Sequence, residues 1–304
     1  MRAEPESLCG VVLVNKPKNC TSFDVCGKLR GILGTRRIGH TGTLDPMAEG
    51  VLPVLVGKAA KACDILPEDK KEYKAGFKLG ISTDTQDITG SVLDRDETPV
   101  DKAALRLALE GFKGKYMQTP PMYSAVKVGG RKLYEYAREG RQIEREPKER
   151  YVHYISLEEY DEQTREGSLT LSVSKGTYIR TLIDDAARSI GTHGVMTSLV
   201  RTKACGFDIG QCRTIDEIQA LADRDELQSV IIGLDKIFDC YEKIQLDERK
   251  AKMYKNGVKL RPEQLGIKEY DGHSRFCIMS GGELISVAYI DVTKNEVRSL
   301  RNFY

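Results

Sequence analysis

The chain has 304 residues, of which 40% are hydrophobic and 30% are charged, and its formal net charge is +2 at pH 7. This balance is typical of a soluble protein with room for a large and a small domain, and the net charge by itself indicates no nucleic-acid partner. No apolar run approaches the roughly 18 residues of a membrane span, and residues 1–10 lack the charged-then-apolar order of a signal peptide. The sequence therefore predicts a cytoplasmic protein.

The eight cysteines are scattered, with no Cys-x-x-Cys pair and no histidine at zinc-finger spacing. Cysteines in such a pattern are typical of reduced thiols that pack as small apolar residues. We therefore expect reduced, buried thiols and no metal site.

The start of the chain predicts a strand, a helix and a second strand. Residues 10–14 are an apolar run that a proline soon follows, which indicates a buried strand. Ser22 is the expected N-cap of a helix whose apolar residues recur at helical spacing as far as Leu33. Residues 51–56 form the second apolar run, and residues 58–66 are expected to form a short helix.

A polar loop, GHTGTLDPMAEGVLP at residues 39–53, connects the helix to the second strand. Within it, Asp45 lies between two glycines and directly before Pro46, which disfavours the α region for Asp45. His40 and two threonines supply polar groups nearby. A carboxylate on so constrained a backbone indicates a catalytic group, and the alternative is a turn aspartate before proline, which is common.

The middle of the chain begins with alternating residues at 72–79, which predict a half-buried strand with Tyr73 on its inner face. Residues 80–90 are rich in Asp and Thr but lack the EF-hand spacing, so a structured turn is expected there. Asp101 is the expected cap of a helix that Gly111 ends.

Two later stretches, residues 151–157 and 168–174, also alternate and predict an antiparallel hairpin. A helix is expected to start at about residue 175, with Arg180 in its first turns. From residues alone, Arg180 could equally form a surface pair with Asp184, which would contribute only a few tenths of a kcal/mol, roughly.

The last third predicts a helix opened by a capping box at residues 214–217. From about residue 240 the chain offers a basic, helix-like segment and three short strands, at residues 274–279, 284–290 and 297–303.

Positive charge is concentrated in two segments that are far apart in sequence. Residues 249–261 carry six positive and no negative charges, and residues 111–150 carry ten positive and five negative charges. Within the second segment, residues 120–140 interleave three tyrosines with lysine and arginine, a composition that suits RNA loops. Both segments suit phosphate contacts, and a solvated basic face is the alternative for each.

Several of these stretches together resemble the signature of the bacterial tRNA pseudouridine-55 synthases, the TruB family. The resemblance rests on residues 39–53 and on SAVK, KLYEYAR, KGTYIRT and LVRT, which start at residues 124, 132, 175 and 199. In the last motif Val200 stands where the family has arginine, which leaves Leu199 as an apolar wall.

The resemblance implies an α+β pseudouridine-synthase fold, with a mixed, largely antiparallel sheet flanked by helices. It further implies a catalytic domain at residues 1–235, with an RNA-gripping insertion at about residues 112–150. A small β-rich, PUA-like RNA-binding domain is expected at residues 236–304, where the resemblance is weaker.

The implied activity is the isomerisation of uridine 55 in the tRNA T-loop to pseudouridine. The N1–C1′ bond is broken, the uracil turns, and C5 is joined to C1′, after the base has been flipped into the pocket at a cost of a few kcal/mol, roughly. We expect a monomer that needs no cofactor and no metal, with the T-arm and T-loop of tRNA as its partner.

The resemblance also implies roles for individual residues. Asp45 would act as nucleophile or base, at the ribose or at the uracil ring, and Arg180 would pair with it and keep it ionised. Tyr73 would stack on the flipped uracil. The substrate-binding residues would be His40, Tyr178, Leu199 and Lys16. A polar turn contact for His40 and a strand-end surface charge for Lys16 are the alternatives.

Two rival functions remain open from the sequence. One is a non-catalytic RNA-binding or RNA-chaperone protein, against which Asp45, Tyr73 and Arg180 argue, because a pure binder has no use for an acidic group aimed at an anionic ligand. The other is a synthase of the same fold that acts on ribosomal or other RNA, which only the resemblance at residues 120–140 disfavours.

Overall fold

The structure, a computed structural model, describes residues 8–67 and 70–304. Two compact units make up these residues. The terminal unit comprises residues 8–46, 50–67 and 205–304, and the central unit comprises residues 47–49 and 70–204. Residues 1–7, on which the expected lack of a signal peptide partly rests, lie outside the described residues. Across the described ranges, no helix is both long enough and apolar enough to span a membrane.

Strands and helices occur in both units. In chain order the strands are β1 (Gly10–Lys16), β2 (Ile38–His40), β3 (Glu49–Val56), β4 (Lys70–Leu79), β5 (Ile81–Thr83), β6 (Val92–Arg95), β7 (Gly114–Gln118), β8 (Lys127–Val128), β9 (Arg131–Lys132), β10 (Lys148–Asp161), β11 (Glu166–Ser174), β12 (Gly194–Ala204), β13 (Phe207–Asp208), β14 (Glu242–Gln245), β15 (Arg275–Ser280), β16 (Glu283–Asp291) and β17 (Glu296–Asn302). The α-helices are α1 (Ser22–Leu33), α2 (Lys102–Glu110), α3 (Leu133–Arg138), α4 (Ile179–Ser189), α5 (Ile215–Asp223), α6 (Leu234–Ile237) and α7 (Glu248–Lys255).

The central unit is built on an antiparallel sheet in the order β12-β4-β11-β10-β7. Helix α2 packs against β10, and α4 packs against β12. The predicted strand at residues 72–79 and the predicted hairpin at residues 151–157 and 168–174 are confirmed within β4, β10 and β11. Alternate side chains of β4 are buried, as period-two alternation requires.

The terminal unit contains two separate groups of strands and helices. In the first, β3 pairs antiparallel with β1 and with β2, and α1 packs against α5. Val12, Leu29 and Val54 belong to the apolar cluster between these elements. Burial of each such side chain stabilises the folded protein by about 1.5–3 kcal/mol. The strands predicted at residues 10–14 and 51–56 are confirmed.

The second group of the terminal unit contains a sheet in the order β14-β15-β16-β17, with β14 parallel to β15. The three strands predicted in this region are confirmed. The fourth, β14, escaped prediction because only Ile244 among its four residues is buried, so no alternation is visible. Helix α7 buries Ala251 and Tyr254 in the apolar cluster beneath the sheet.

Two predictions of local structure are wrong, and a third is right only in part. Thr21, rather than Ser22, is the N-cap of α1, because Thr21 and Asp24 form a reciprocal capping box. The hydroxyl of Thr21 also lowers the pKa of Asp24. The short helix expected at residues 58–66 is present only in part, as a 3-10 helix at Gly57–Ala62. Finally, α4 starts at Ile179 rather than at about residue 175, because Gly176 has a φ of 76°, outside the helical region.

The prediction for the cysteines is partly right. No disulfide joins any of the eight, all of which lie in the described part of the chain. Cys26, Cys212 and Cys277 are buried, as expected, whereas Cys9 and Cys240 are exposed.

Candidate active site

The loop that carries Asp45 is anchored by a serine at the start of α1. The Ser22 hydroxyl accepts a hydrogen bond from the Leu44 amide at 2.9 Å and donates to the Leu44 carbonyl at 3.3 Å. Ser22 is available for this contact because Thr21 caps the helix. The backbone directly before the half-buried Asp45 is therefore fixed on both of its polar groups.

Lys16 lies beneath the same loop and is 0% exposed. Its ammonium group donates to the carbonyls of Pro17 at 2.9 Å, Cys20 at 2.7 Å and Pro46 at 3.4 Å. A buried ammonium needs such acceptors because burial removes its water. The alternative of a surface charge at the end of β1 is thus wrong, and Lys16 connects the chain after β1 to the residue that follows Asp45.

His40 and Thr41 form the first part of the loop. His40 ends β2, is half-buried, and its Nδ1 lies 3.4 Å from the Gly42 amide, which donates to it. Thr41 accepts a hydrogen bond from the Cys205 thiol at 3.4 Å. A Cβ at Gly39 would lie 3.0 Å from the Cys63 sulfur, and burial raises the pKa of that thiol to about 11. Two thiols therefore pack against the loop.

Tyr73 and Leu199 lie on neighbouring strands of the central sheet. Tyr73 is 6% exposed, on the buried face of β4, as predicted. Its register partners are Leu171 on β11 and the fully buried Arg201 on β12. Leu199 is also buried and pairs with Ala75.

Arg180 lies in the first turn of α4 and is 4% exposed. Its guanidinium donates to the Thr85 carbonyl at 3.0 Å and to the Tyr123 carbonyl at 2.5 Å. The predicted alternative, a surface pair with Asp184, is wrong, because Asp184 instead pairs with Arg188 at 2.9 Å. Arg180 is therefore a buried cation in a fixed orientation.

Tyr178 is the N-cap residue of α4, and its ring lies 5.8 Å from the Arg180 guanidinium carbon. The Gln118 side chain holds its backbone: Gln118 Nε2 donates to the Tyr178 carbonyl at 2.9 Å, and Gln118 Oε1 accepts from the Tyr178 amide at 2.8 Å. Tyr178 and Arg180 are thus brought together at one helix end.

The Asp- and Thr-rich turn at residues 80–90 is structured, as predicted. Asp87 is its centre, because one carboxylate oxygen accepts from the Thr85 hydroxyl, the Thr89 amide and the Thr89 hydroxyl. Gln86 has a φ of 63° and reaches α4, where it accepts from the Thr181 hydroxyl at 2.7 Å. This turn presents the Thr85 carbonyl to Arg180.

Cations cover the aromatic rings in the basic segment at residues 120–140. Arg131 lies 4.7 Å from the ring centre of Tyr136, and Arg138 lies 5.2 Å from that of Tyr134. Both tyrosines are half-buried. The predicted mixture of aromatic and basic residues therefore forms cation–ring contacts at both tyrosines.

The predicted site residues occur in both units. Lys16, His40 and Asp45 belong to the terminal unit, whereas Tyr73, Tyr178, Arg180 and Leu199 belong to the central unit. Within the central unit, Tyr178 and Arg180 are neighbours, and within the terminal unit, Lys16 and the Asp45 loop are joined by hydrogen bonds. The pairing of Asp45 with Arg180 stays a prediction.

Sequence reasoning missed the clamping roles of Ser22 and Gln118. For Ser22 the available signal was its position beside Thr21, since only one of two adjacent hydroxyl residues can cap the helix. Gln118 gave no local signal, because its partner is 60 residues away.

Comparison with known proteins identifies the family of the chain. Residues 30–179 match the model of the TruB family pseudouridylate synthase (N-terminal domain), a range that includes Asp45 and Tyr73 and ends directly before Arg180. The tRNA pseudouridine synthase B of Pediococcus pentosaceus is 39% identical over 274 residues, covering 87% of this chain and 92% of the relative. That of Lachnoclostridium phytofermentans is 44% identical over 257 residues, covering 83% and 84%.

The fold is also similar to a chain in the crystal structure of a Cbf5–Nop10–Gar1 complex. The TM-score is 0.73 at 24% identity, and the match covers 98% of this chain and 86% of that chain. The predicted α+β pseudouridine-synthase fold is confirmed. On the strength of its curated relatives, the chain belongs to the TruB family of pseudouridylate synthases. It is an enzyme that isomerises uridine in tRNA to pseudouridine.

Proposed function

We propose that the enzyme acts on uridine 55 in the T-loop of tRNA, that it flips this base out of the loop, and that Asp45 is the catalytic carboxylate. The observation that carries the proposal is the anchoring of the Asp45 loop. Ser22 fixes Leu44 on one side of Asp45, and Lys16 holds the Pro46 carbonyl on the other. The backbone that carries the carboxylate is thereby preorganised, which favours nucleophilic or general-base catalysis.

The reaction balances without a cofactor. The N1–C1′ bond of the uridine breaks, the C5–C1′ bond forms, the C5 proton leaves to solvent, and N1 gains a proton. Asp45 acts at the ribose or at the uracil ring, with Arg180 as its partner. Tyr73 stacks on the flipped uracil, Tyr178, Leu199 and His40 support the substrate, and the fully buried Lys16 acts through the Asp45 loop that it holds.

RNA binding follows from the same proposal. Residues 1–235 form the catalytic domain, the insertion at about residues 112–150 grips the T-arm, and residues 236–304 form a PUA-like RNA-binding domain. The sheet β14–β17 is consistent with this last assignment. The relatives named tRNA pseudouridine synthase B support tRNA as the substrate. We further propose that the enzyme is a cytoplasmic monomer.

The test uses unmodified tRNA transcript with tritium at C5 of its uridines. Because C5 loses its hydrogen when it joins C1′, each turnover releases tritium, and pseudouridine can be mapped in the product. We expect product at position 55 only, and no tritium release when that uridine is replaced by cytidine. Product at another position, or none at all, would overturn the assignment.

The role of Asp45 is tested with Asp45→Asn. We expect a loss of single-turnover rate of about 10³-fold or more, because the amide is neither a nucleophile nor a base. The matched control is Asp225→Asn, at an exposed residue with a φ of 59°, which asparagine adopts readily. Full activity in Asp45→Asn would contradict the mechanism.

A further inference from the structure

The amide clamp at the start of α4 involves a side chain that the reaction scheme does not use. Gln118 ends β7 and is 1% exposed. Its carboxamide occupies both polar groups of the Tyr178 backbone, at 2.9 and 2.8 Å, as a neighbouring strand would. Among side chains of this length, glutamine presents a donor and an acceptor side by side.

The N-cap of α4 has no side-chain cap of the usual kind. Gly176, two residues earlier, has a φ of 76°. Tyr178 is the N-cap residue, and its side chain cannot accept from the first helical amides as a serine or aspartate side chain would. The Tyr178 carbonyl also accepts the first helical hydrogen bond, from Leu182 at 3.1 Å. Gln118 is therefore one of the groups that hold the first turn of α4.

Arg180 is held by the same stretch of chain. Tyr123, five residues beyond Gln118, offers its carbonyl to the Arg180 guanidinium at 2.5 Å, and its hydroxyl donates to Asp84 at 3.2 Å. Residues 118–123 thus contact the start of α4 at two points, one at the backbone of Tyr178 and one at the side chain of Arg180.

We propose that Gln118 is a positioning residue whose side-chain amide fixes the start of α4 and thereby orients the Tyr178 ring and the Arg180 guanidinium for reaction with the uridine. This inference rests on the function proposed above for Tyr178 and Arg180. Small displacements of catalytic groups are costly in rate, because the reacting geometry is met less often.

The first variant is Gln118→Met, which keeps the length of the side chain and removes both hydrogen bonds. We expect its single-turnover rate on tRNA transcript to fall by tens of fold, roughly, with tRNA affinity changed by less than about threefold. The control, Gln163→Met, changes an exposed glutamine in the turn between β10 and β11 and should leave both quantities unchanged.

The second variant, Gln118→Glu, separates hydrogen bonding from packing. At alkaline pH its carboxylate keeps an acceptor for the Tyr178 amide but faces the Tyr178 carbonyl without a donor. At acidic pH the protonated carboxyl regains the donor. We therefore expect the rate of Gln118→Glu, divided by that of the native enzyme, to rise as the pH falls from about 8.5 to 5.5, whereas the same ratio for Gln118→Met stays flat.

A third measurement needs no substrate. Amide hydrogen exchange in residues 176–183 should be faster in Gln118→Met than in the native enzyme, because the Tyr178 amide loses its acceptor. Native exchange in this segment overturns the inference even if the enzyme proves inactive on tRNA. With an active native enzyme, a native rate for Gln118→Met, or a flat ratio for Gln118→Glu, overturns it as well. Should Gln118→Met fail to fold, the pH response of Gln118→Glu decides.

Discussion

In the terminal unit a serine hydroxyl holds the residue before Asp45, whereas in the central unit a glutamine carboxamide holds the residue two before Arg180. The serine uses one atom to accept at 2.9 Å and donate at 3.3 Å. The glutamine uses separate atoms and makes bonds of 2.9 and 2.8 Å. Both side chains hold the backbone of one residue, but with different geometry. The two hydrogen bonds of the carboxamide are nearly equal in length, whereas those of the hydroxyl differ.

The buried cations of the two units differ in a similar way. Lys16 directs a compact ammonium at three backbone carbonyls, whereas Arg180 directs a planar fork at two. An ammonium can donate to several carbonyls around one point, which suits a group that joins the chain after β1 to the residue that follows Asp45. A guanidinium keeps its own plane fixed relative to its acceptors, which suits a group that must itself be oriented. We infer that Lys16 fixes the conformation of the Asp45 loop. Arg180, in contrast, has its own orientation fixed by the carbonyls around it.

The largest effect that would sharpen this comparison is expected for Arg180→Lys. The lysine keeps the charge but cannot reach the Thr85 and Tyr123 carbonyls with one planar group, so its position is no longer fixed. We expect the single-turnover rate to fall by about 100-fold or more. The matched control is Arg188→Lys, on the exposed side of the same helix, where a change of less than about twofold is expected. Equal effects of the two variants would remove the special role of the buried fork.

A smaller effect is expected for Ser22→Ala, which removes both hydrogen bonds to Leu44. We expect the free energy of unfolding to fall by about 1–2 kcal/mol, and the single-turnover rate to fall about tenfold because the Asp45 loop is less fixed. Chemical denaturation and single-turnover kinetics measure the two quantities separately.

The neighbouring residue provides the control for this variant. Thr21→Ala removes the helix cap, which costs about 1 kcal/mol, but it leaves the Leu44 hydrogen bonds intact. Stability should therefore fall in both variants, and rate only in Ser22→Ala. A rate loss of the same size in Thr21→Ala would show that the loop responds to the stability of α1 and that the serine clamp has no separate role.

These clamps also show how far the sequence could predict the site. Asp45 stood out because glycine and proline restrict its loop, and Tyr73 because alternation gives its strand an inner face. Family motifs contain Asp45 and Arg180. The contacts of Lys16 and Gln118 could not be predicted, because their partners lie 30 and 60 residues away and such contacts leave no local period in the sequence. Strands such as β4 and β11 were predictable for the opposite reason, because burial of one face imposes a period on neighbouring residues. Short elements such as β14 and the 3-10 helix at Gly57–Ala62 are too brief to show such a period.

The smallest effect on rate is expected where the chain contacts RNA without orienting a reacting group. Arg249 and Lys252 are exposed and lie in the first turns of α7, the helix that Asp247 caps. Changing both to glutamine should weaken tRNA binding and reduce the dependence of log Kd on log salt concentration by up to about 0.9 per lost phosphate contact. The single-turnover rate at saturating tRNA should stay native. Lys268→Gln, at an exposed lysine outside residues 249–261, is the control and should leave the salt dependence unchanged. An unchanged slope in the double variant would mean that this face of α7 is only solvated, whereas a fall in the saturated rate would mean that it aligns the substrate as the two clamps are proposed to do.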